Sequence, residues 1–187
     1  MKKLSLLSLL IGVCILGAIS VTTPSCNKSD DAVVTPTFYD TLGGTEMVTD
    51  PANPSVKIEK GRLGLRSVVD STIFVIAADA QLNGFFTVLL SEVTSGNTSG
   101  FQLLSKRLTD FFCVATGAKN FVYDGKNMVD AHNPATNPRM NGKASNANFD
   151  RFITDLVIGA QKNGLPSSII TRVGAIVETL RTKVVQI

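Results

Sequence analysis

Tryptophan is absent from this 187-residue chain, histidine occurs once, cysteine three times, and aromatics make up only 6%, most of them the ten phenylalanines. A core built from such a supply is aliphatic, plugged here and there by Phe. The cysteines cannot form a disulfide framework: Cys14 lies inside an N-terminal apolar run, Cys26 follows it, and Cys113 is left without a partner. Placed between Phe112 and Val114 in a helical pattern, Cys113 reads as a small buried hydrophobe rather than a nucleophile. Cys113 and His132 are too few donors for a structural zinc. With one histidine and scattered Asp and Glu, no local motif suggests a hydrolytic triad. Excess charge is missing too. Of 18 Lys and Arg, Lys2 and Lys3 sit at the very start, leaving 16 against 15 Asp and Glu, so nothing points to nucleic acid. What remains, 44% hydrophobic and 18% charged, suffices for one domain with a sizeable core.

The first residues carry an address. Lys2-Lys3 precedes an apolar run from Leu4 to Val21, then Thr22-Thr-Pro-Ser-Cys26. The run is long enough to permit a membrane-spanning helix. The small Ser25 directly before Cys26, and the polar Asn27-Lys-Ser-Asp-Asp31 after it, favour a cleaved secretory leader instead. The segment resembles the lipobox of a bacterial lipoprotein, which makes residues 1–25 a signal peptide, Cys26 the lipidated first residue and residues 26–37 a polar tether. Buried acyl chains contribute about 0.8 kcal/mol per CH₂, so more than one chain anchors a domain stably. The resemblance implies an outer-membrane lipoprotein, at the periplasmic face or the cell surface. The Lys28–Asp31 patch is similar to a surface-export signal and equally readable as a solvated linker.

From Phe38 onward the periodicity is helical. Phe38-Tyr-Asp-Thr-Leu-Gly-Gly44 reads as a short helix stopped by two glycines. Residues from about 50 to 64 carry Pro51, Pro54 and the alternation Val56-Lys-Ile58-Glu, which suits a loop with a short hairpin. Leu65, Val68, Val69, Thr72, Ile73, Ile76 and Ala77 form one stripe. After the Ser-Gly-Asn-Thr-Ser-Gly stretch at 95–100, expected to be flexible, Phe101, Leu104, Leu108, Phe111, Phe112 and Ala115 recur at helical steps. A turn region between Gly117 and Gly125 leads to Met128 and His132, which share a face if that segment is helical. Residues 133–148, with Pro134, Pro138 and Gly142, read as a loop. Phe149, Phe152, Ile153, Leu156, Val157 and Ala160 make another helix, ended by Asn163-Gly164. A last one starts near Pro166 and runs through Ile169, Ile170, Val173, Val177, Leu180 and Val184. The class is all-α.

A neutral imidazole on an apolar helix face is what a haem iron takes as its axial ligand from a protein. Alone, a histidine is more often an ordinary residue. The landmarks around it, taken in order, are Tyr39-Asp-Thr-Leu-Gly-Gly44, Asp79-Ala-Gln-Leu-Asn-Gly-Phe-Phe86, Phe111-Phe112, Tyr123-Asp-Gly-Lys-Asn-Met128, Ala131-His132, Phe149-Asp150 and Gly164-Leu-Pro166. From Phe38 to about Leu180 this conjunction resembles a truncated haemoglobin of the first group. The resemblance implies a globin-like, two-over-two helical sandwich over residues 38–187, with loop insertions near 50–66, 91–100 and 133–148. It also implies haem b as cofactor and a diatomic gas (O₂, NO or CO) as ligand.

By that similarity His132 ligates the iron, Phe86 lies against the porphyrin, and Met128, Phe149 and Phe112 belong to the haem cleft. Leu104 and Leu108 look onto the distal side, and Arg107 falls where a cation often reaches a haem propionate. Two positions depart from the family. Ile73 and Leu108 stand where many members carry a tyrosine and a glutamine that hydrogen-bond O₂. Each missing neutral donor forfeits about 0.5–1.5 kcal/mol, so the expected distal side is apolar, holds O₂ weakly and suits NO or CO. Thr72 is the nearest hydroxyl on that helix. No flavin or nicotinamide domain is visible, so the electron donor stays unassigned and enzymatic activity open. The alternative is a cofactor-free globin fold acting as a surface interaction or structural lipoprotein. An open slot of porphyrin dimensions facing His132 favours the first reading, and a collapsed core filled by Phe86, Leu104, Leu108 and Met128 favours the second.

Overall fold

The computed structural model describes residues 35–187. The expected signal peptide, Cys26 and residues 26–34 of the expected tether lie outside the described residues. Thr37 opens α1 (Phe38–Thr41) with a capping box: its hydroxyl accepts from the Asp40 backbone N–H at 3.1 Å, while Asp40 accepts from the Thr37 N–H at 2.7 Å. Gly43 and Gly44 then take positive φ (115° and 55°), which turns the chain after this short helix.

The hairpin sits slightly earlier than its sequence signal. Strands β1 (Met47–Asp50) and β2 (Asn53–Glu59) pair antiparallel across a turn at Pro51-Ala52. Arg66 grips Asp50 through both its terminal nitrogens (2.8 and 2.6 Å), tying the turn to the next helix. That guanidinium holds the Asp50 carboxyl down at a pKa of about 2. No loop therefore fills the expected insertion at 50–66, because β2 runs straight into helix α2 (Lys60–Ala78).

Four long helices make the body. These are α2, α4 (Ser99–Ala115), α6 (Asn146–Lys162) and α7 (Ser167–Glu178). The pairs α2 with α4 and α6 with α7 stack through the α2–α6 contact, giving the two-over-two sandwich. Leu65, Val68, Val69 and Ile73 of α2 meet Phe149, Leu156 and Ala160 of α6 in the core. Full burial of such side chains stabilises by about 1.5–3 kcal/mol each. At the crossing, Gly159 of α6 lies directly on Thr72 of α2. A Cβ there would overlap the Thr72 hydroxyl and come within 2.9 Å of its backbone nitrogen. Ser145 caps α6 through a second capping box with Asn148.

Three expectations need correction. The expected 91–100 insertion is not loop throughout, because α3 (Thr87–Thr94) reaches into it and Ser99-Gly100 already belong to α4, leaving a turn at 95–98. The last helix is not continuous to Val184: it ends at Glu178, and α8 (Arg181–Val184) follows as a separate turn. Among the three expected insertions only 133–145 is a true loop, its far end held where the Gln186 N–H donates to the Ala144 carbonyl at 2.8 Å.

Candidate functional site

Asn127 caps helix α5 (Met128–His132) by accepting from the Asp130 N–H at 2.9 Å, and this short turn carries the only imidazole in the chain. His132 Nδ1 lies 2.8 Å from the Met128 carbonyl. A carbonyl can only accept, so the proton sits on Nδ1 and the Nε2 lone pair is left free. Burial pushes the His132 pKa below the usual histidine range, against the smaller opposing pull of the Met128 carbonyl, so the ring is neutral at physiological pH. A neutral imidazole with a fixed tautomer has the free lone pair that metal ligation requires.

The ring borders a cavity of about 390 Å³ with a nearly all-apolar lining, within the range of roughly 300–1,000 Å³ typical of small-molecule sites. Ile73, Phe86, Leu104, Leu108, Phe112, Met128 and Phe149 all line it with His132. The core here is open rather than plugged by Phe86, Leu104, Leu108 and Met128. Residues distant in sequence thus converge from α2, the 3-10 turn Asn83–Phe86, α4, α5 and α6.

Arg107 is the exception. It does not line the cavity; its Nε is 4.0 Å from Asp124, beyond hydrogen-bonding distance, and has no other partner among the described residues. Arg107 stands one residue before Leu108 on α4, and a one-residue step turns a helical side chain by about 100°, off the face that Leu104 and Leu108 present and toward the edge where a propionate contact was expected. Thr72 does border the cavity, yet its hydroxyl donates to the Val68 carbonyl at 2.8 Å and is spent within its own helix. Cys113 is fully buried and its thiol is pushed up to about 11 by desolvation, which makes it inert packing.

Sequence reasoning missed several lining residues. Leu89, Leu90 and Val93 come from α3, Met140 from the loop after His132, and Asn148 from the first turn of α6. The Leu89-Leu90 pair followed by Val93 is a helical step that could have revealed α3. Nothing local marks Met140. The loop itself braces α5: the Asn137 side chain donates to the Ala131 carbonyl at 2.6 Å and the Thr136 hydroxyl to the Asp130 carbonyl at 2.9 Å.

The donor chemistry fits a haem. The His132 ring borders a space with almost no other polar group, and no group of three or more His, Cys, Asp or Glu among the described residues could hold a different metal ion. No protein-family profile and no curated protein matches the chain. Solved structures do. The chain is similar to the truncated haemoglobin of Tetrahymena pyriformis in its Fe(III) form, at 22% identity and a TM-score of 0.57, covering 81% of this chain and 100% of that one. A tyrosine-to-phenylalanine variant and a glutamine-to-glutamate variant of the same protein match with the same values. At this identity the likeness defines the fold: the chain is an all-α protein with the truncated-haemoglobin globin fold.

Proposed function

We propose that this protein is a haem-binding truncated globin of the first group, carried as a lipoprotein, which binds a diatomic gas at the cell envelope. The observation that carries the reading is His132: a neutral imidazole, its Nδ1 proton committed to the Met128 carbonyl, bordering an open apolar cavity. Its Nε2 would hold the iron of haem b. Phe86, Phe112, Met128 and Phe149 would pack around the porphyrin, and the apolar environment would keep water from the iron. When bound, the haem supplies the open iron position at which a gas attaches.

Ile73, Leu104 and Leu108 themselves bring no hydrogen-bond donor, and the Thr72 hydroxyl is already engaged. Such a pocket discriminates weakly between polar and apolar gases, so NO and CO suit it better than O₂. Arg107, free of a strong partner, could reach a propionate only by swinging from its place beside Asp124. Lipidation at Cys26 rests on the Ser25-Cys26 context and the polar segment that follows. It would hold the domain at the outer membrane, on the periplasmic face or the cell surface.

Haemin titration of the full chain in mild detergent tests the reading. The expected result is a saturable Soret shift at one haemin per chain, lost or altered in His132→Ala. Absence of the shift in the native chain would leave a cofactor-free globin scaffold as the better account.

A further inference from the structure

The loop after His132 does more than connect two helices. From the end of α5 it reaches helix α3, where Arg139 forms a bidentate ion pair with Glu92 at 2.8 and 2.5 Å. Two residues on, Asn141 donates its backbone N–H to the Phe85 carbonyl at 3.0 Å and its side-chain amide to the Gly84 carbonyl at 2.9 Å. Between these two ties, Met140 is buried and lines the cavity.

Helix α3 is joined to this loop by an ion pair. None of its residues is buried, although Leu89, Leu90 and Val93 border the cavity. A helix so lightly packed opens at small cost. Its one polar side-chain tie to a distant element, among the described residues, is the Glu92–Arg139 pair. The pair is also fitted to α4: a Cβ on Gly100 would overlap both the Glu92 carboxylate and the Arg139 guanidinium. Three elements therefore meet at one ion pair, and the chain that delivers Arg139 to it begins at the residue after His132.

We propose that residues 133–142 form a strap that clamps α3 over the cavity and sets how fast the cavity's occupant leaves. The strap links the imidazole-bearing helix to the lightly packed wall, so α3 cannot swing out until Arg139 releases Glu92. Its effect on haem retention rests on the proposed haem reading, while its effect on α3 does not.

Two measurements on the full chain separate these. Hydrogen exchange of the α3 amides, with α6 as internal reference, reads the clamp without cofactor. Transfer of haemin to an excess of a scavenging apoprotein reads retention. Arg139→Met and Glu92→Gln remove the pair, and Gly100→Ala displaces it while improving the helix propensity of α4, so loss of folding cannot mimic the result. All three should speed α3 exchange, leave α6 unchanged, and release haemin roughly two- to fivefold faster. The charge-exchanged double variant Glu92→Arg with Arg139→Glu should recover part of the loss. High salt should hasten release from the native chain and not from Arg139→Met. Unchanged exchange in α3 overturns the strap whatever haemin does. Faster exchange with unchanged release overturns its control of retention. If the native chain takes up no haemin, the haem reading fails and α3 exchange alone decides the strap.

Discussion

Replacing Leu108 by glutamine pulls two observables in opposite directions. Leu108 is half-buried on α4 and borders the cavity together with Ile73 and Leu104, and the nearby Thr72 hydroxyl is bound to the Val68 carbonyl. In the haemin-free protein the new carboxamide faces a nearly all-apolar space. An unpaired polar group of this kind costs about 1–3 kcal/mol when buried. At the roughly 2–4 °C per kcal/mol typical of chains this size, the melting temperature should fall by about 2–12 °C. In the haem-loaded, reduced protein the same amide supplies an N–H that O₂ can accept and CO cannot. One neutral hydrogen bond of about 0.5–1.5 kcal/mol slows O₂ release by roughly two- to tenfold. The assay is stopped-flow release of O₂ and of CO from the full chain, beside thermal unfolding of the haemin-free form. An O₂ rate that stays at the native value, or O₂ and CO rates that change alike, would refute the apolar gas-binding side.

Two further outcomes follow from the core. Asp155 is fully buried on α6 with the Arg151 guanidinium 3.7 Å away, outside hydrogen-bonding distance, and desolvation with the neighbouring Asp79 carboxylate outweighs that cation and raises its pKa. A raised folded-state pKa makes the native state bind the extra proton, so this group favours folding below the unfolded carboxylate value of about 3.9 and loses that contribution as pH rises through its own pKa. Asp155→Asn should therefore unfold at a higher temperature than the native chain at pH 7, with the advantage shrinking toward pH 4; an equal or lower melting temperature at pH 7 would contradict the assignment. Gly159→Ala forces a methyl group onto the Thr72 hydroxyl and backbone at the α2–α6 crossing, which should cost about 1–3 kcal/mol of overpacking in denaturant unfolding. A neutral effect would mean that the two helices can separate without loss.

The long helices were legible because their apolar residues recur at helical spacing over several turns, as in the Leu65-to-Ile76 stripe that became the buried face of α2. His132 stood out because no other imidazole competes with it, and its phase with Met128 survives in α5. What failed was set by tertiary contacts. Helix α3 has only eight residues and none buried, so its pattern is weak, and its place depends on an ion pair to Arg139, 47 positions away. The break between α7 and α8 falls within a run whose apolar spacing continues unbroken from Val173 to Val184, and no residue type there announces it. The 4.0 Å approach of Arg107 to Asp124, from the loop before α5, joins residues whose spacing carries no local signal.

The most direct test removes the imidazole and gives it back. In the haemin-loaded His132→Gly chain, free imidazole should restore the native absorption and resonance Raman iron–histidine signature that the substitution abolishes. If the glycine variant shows the native spectrum before any imidazole is added, His132 does not hold the iron.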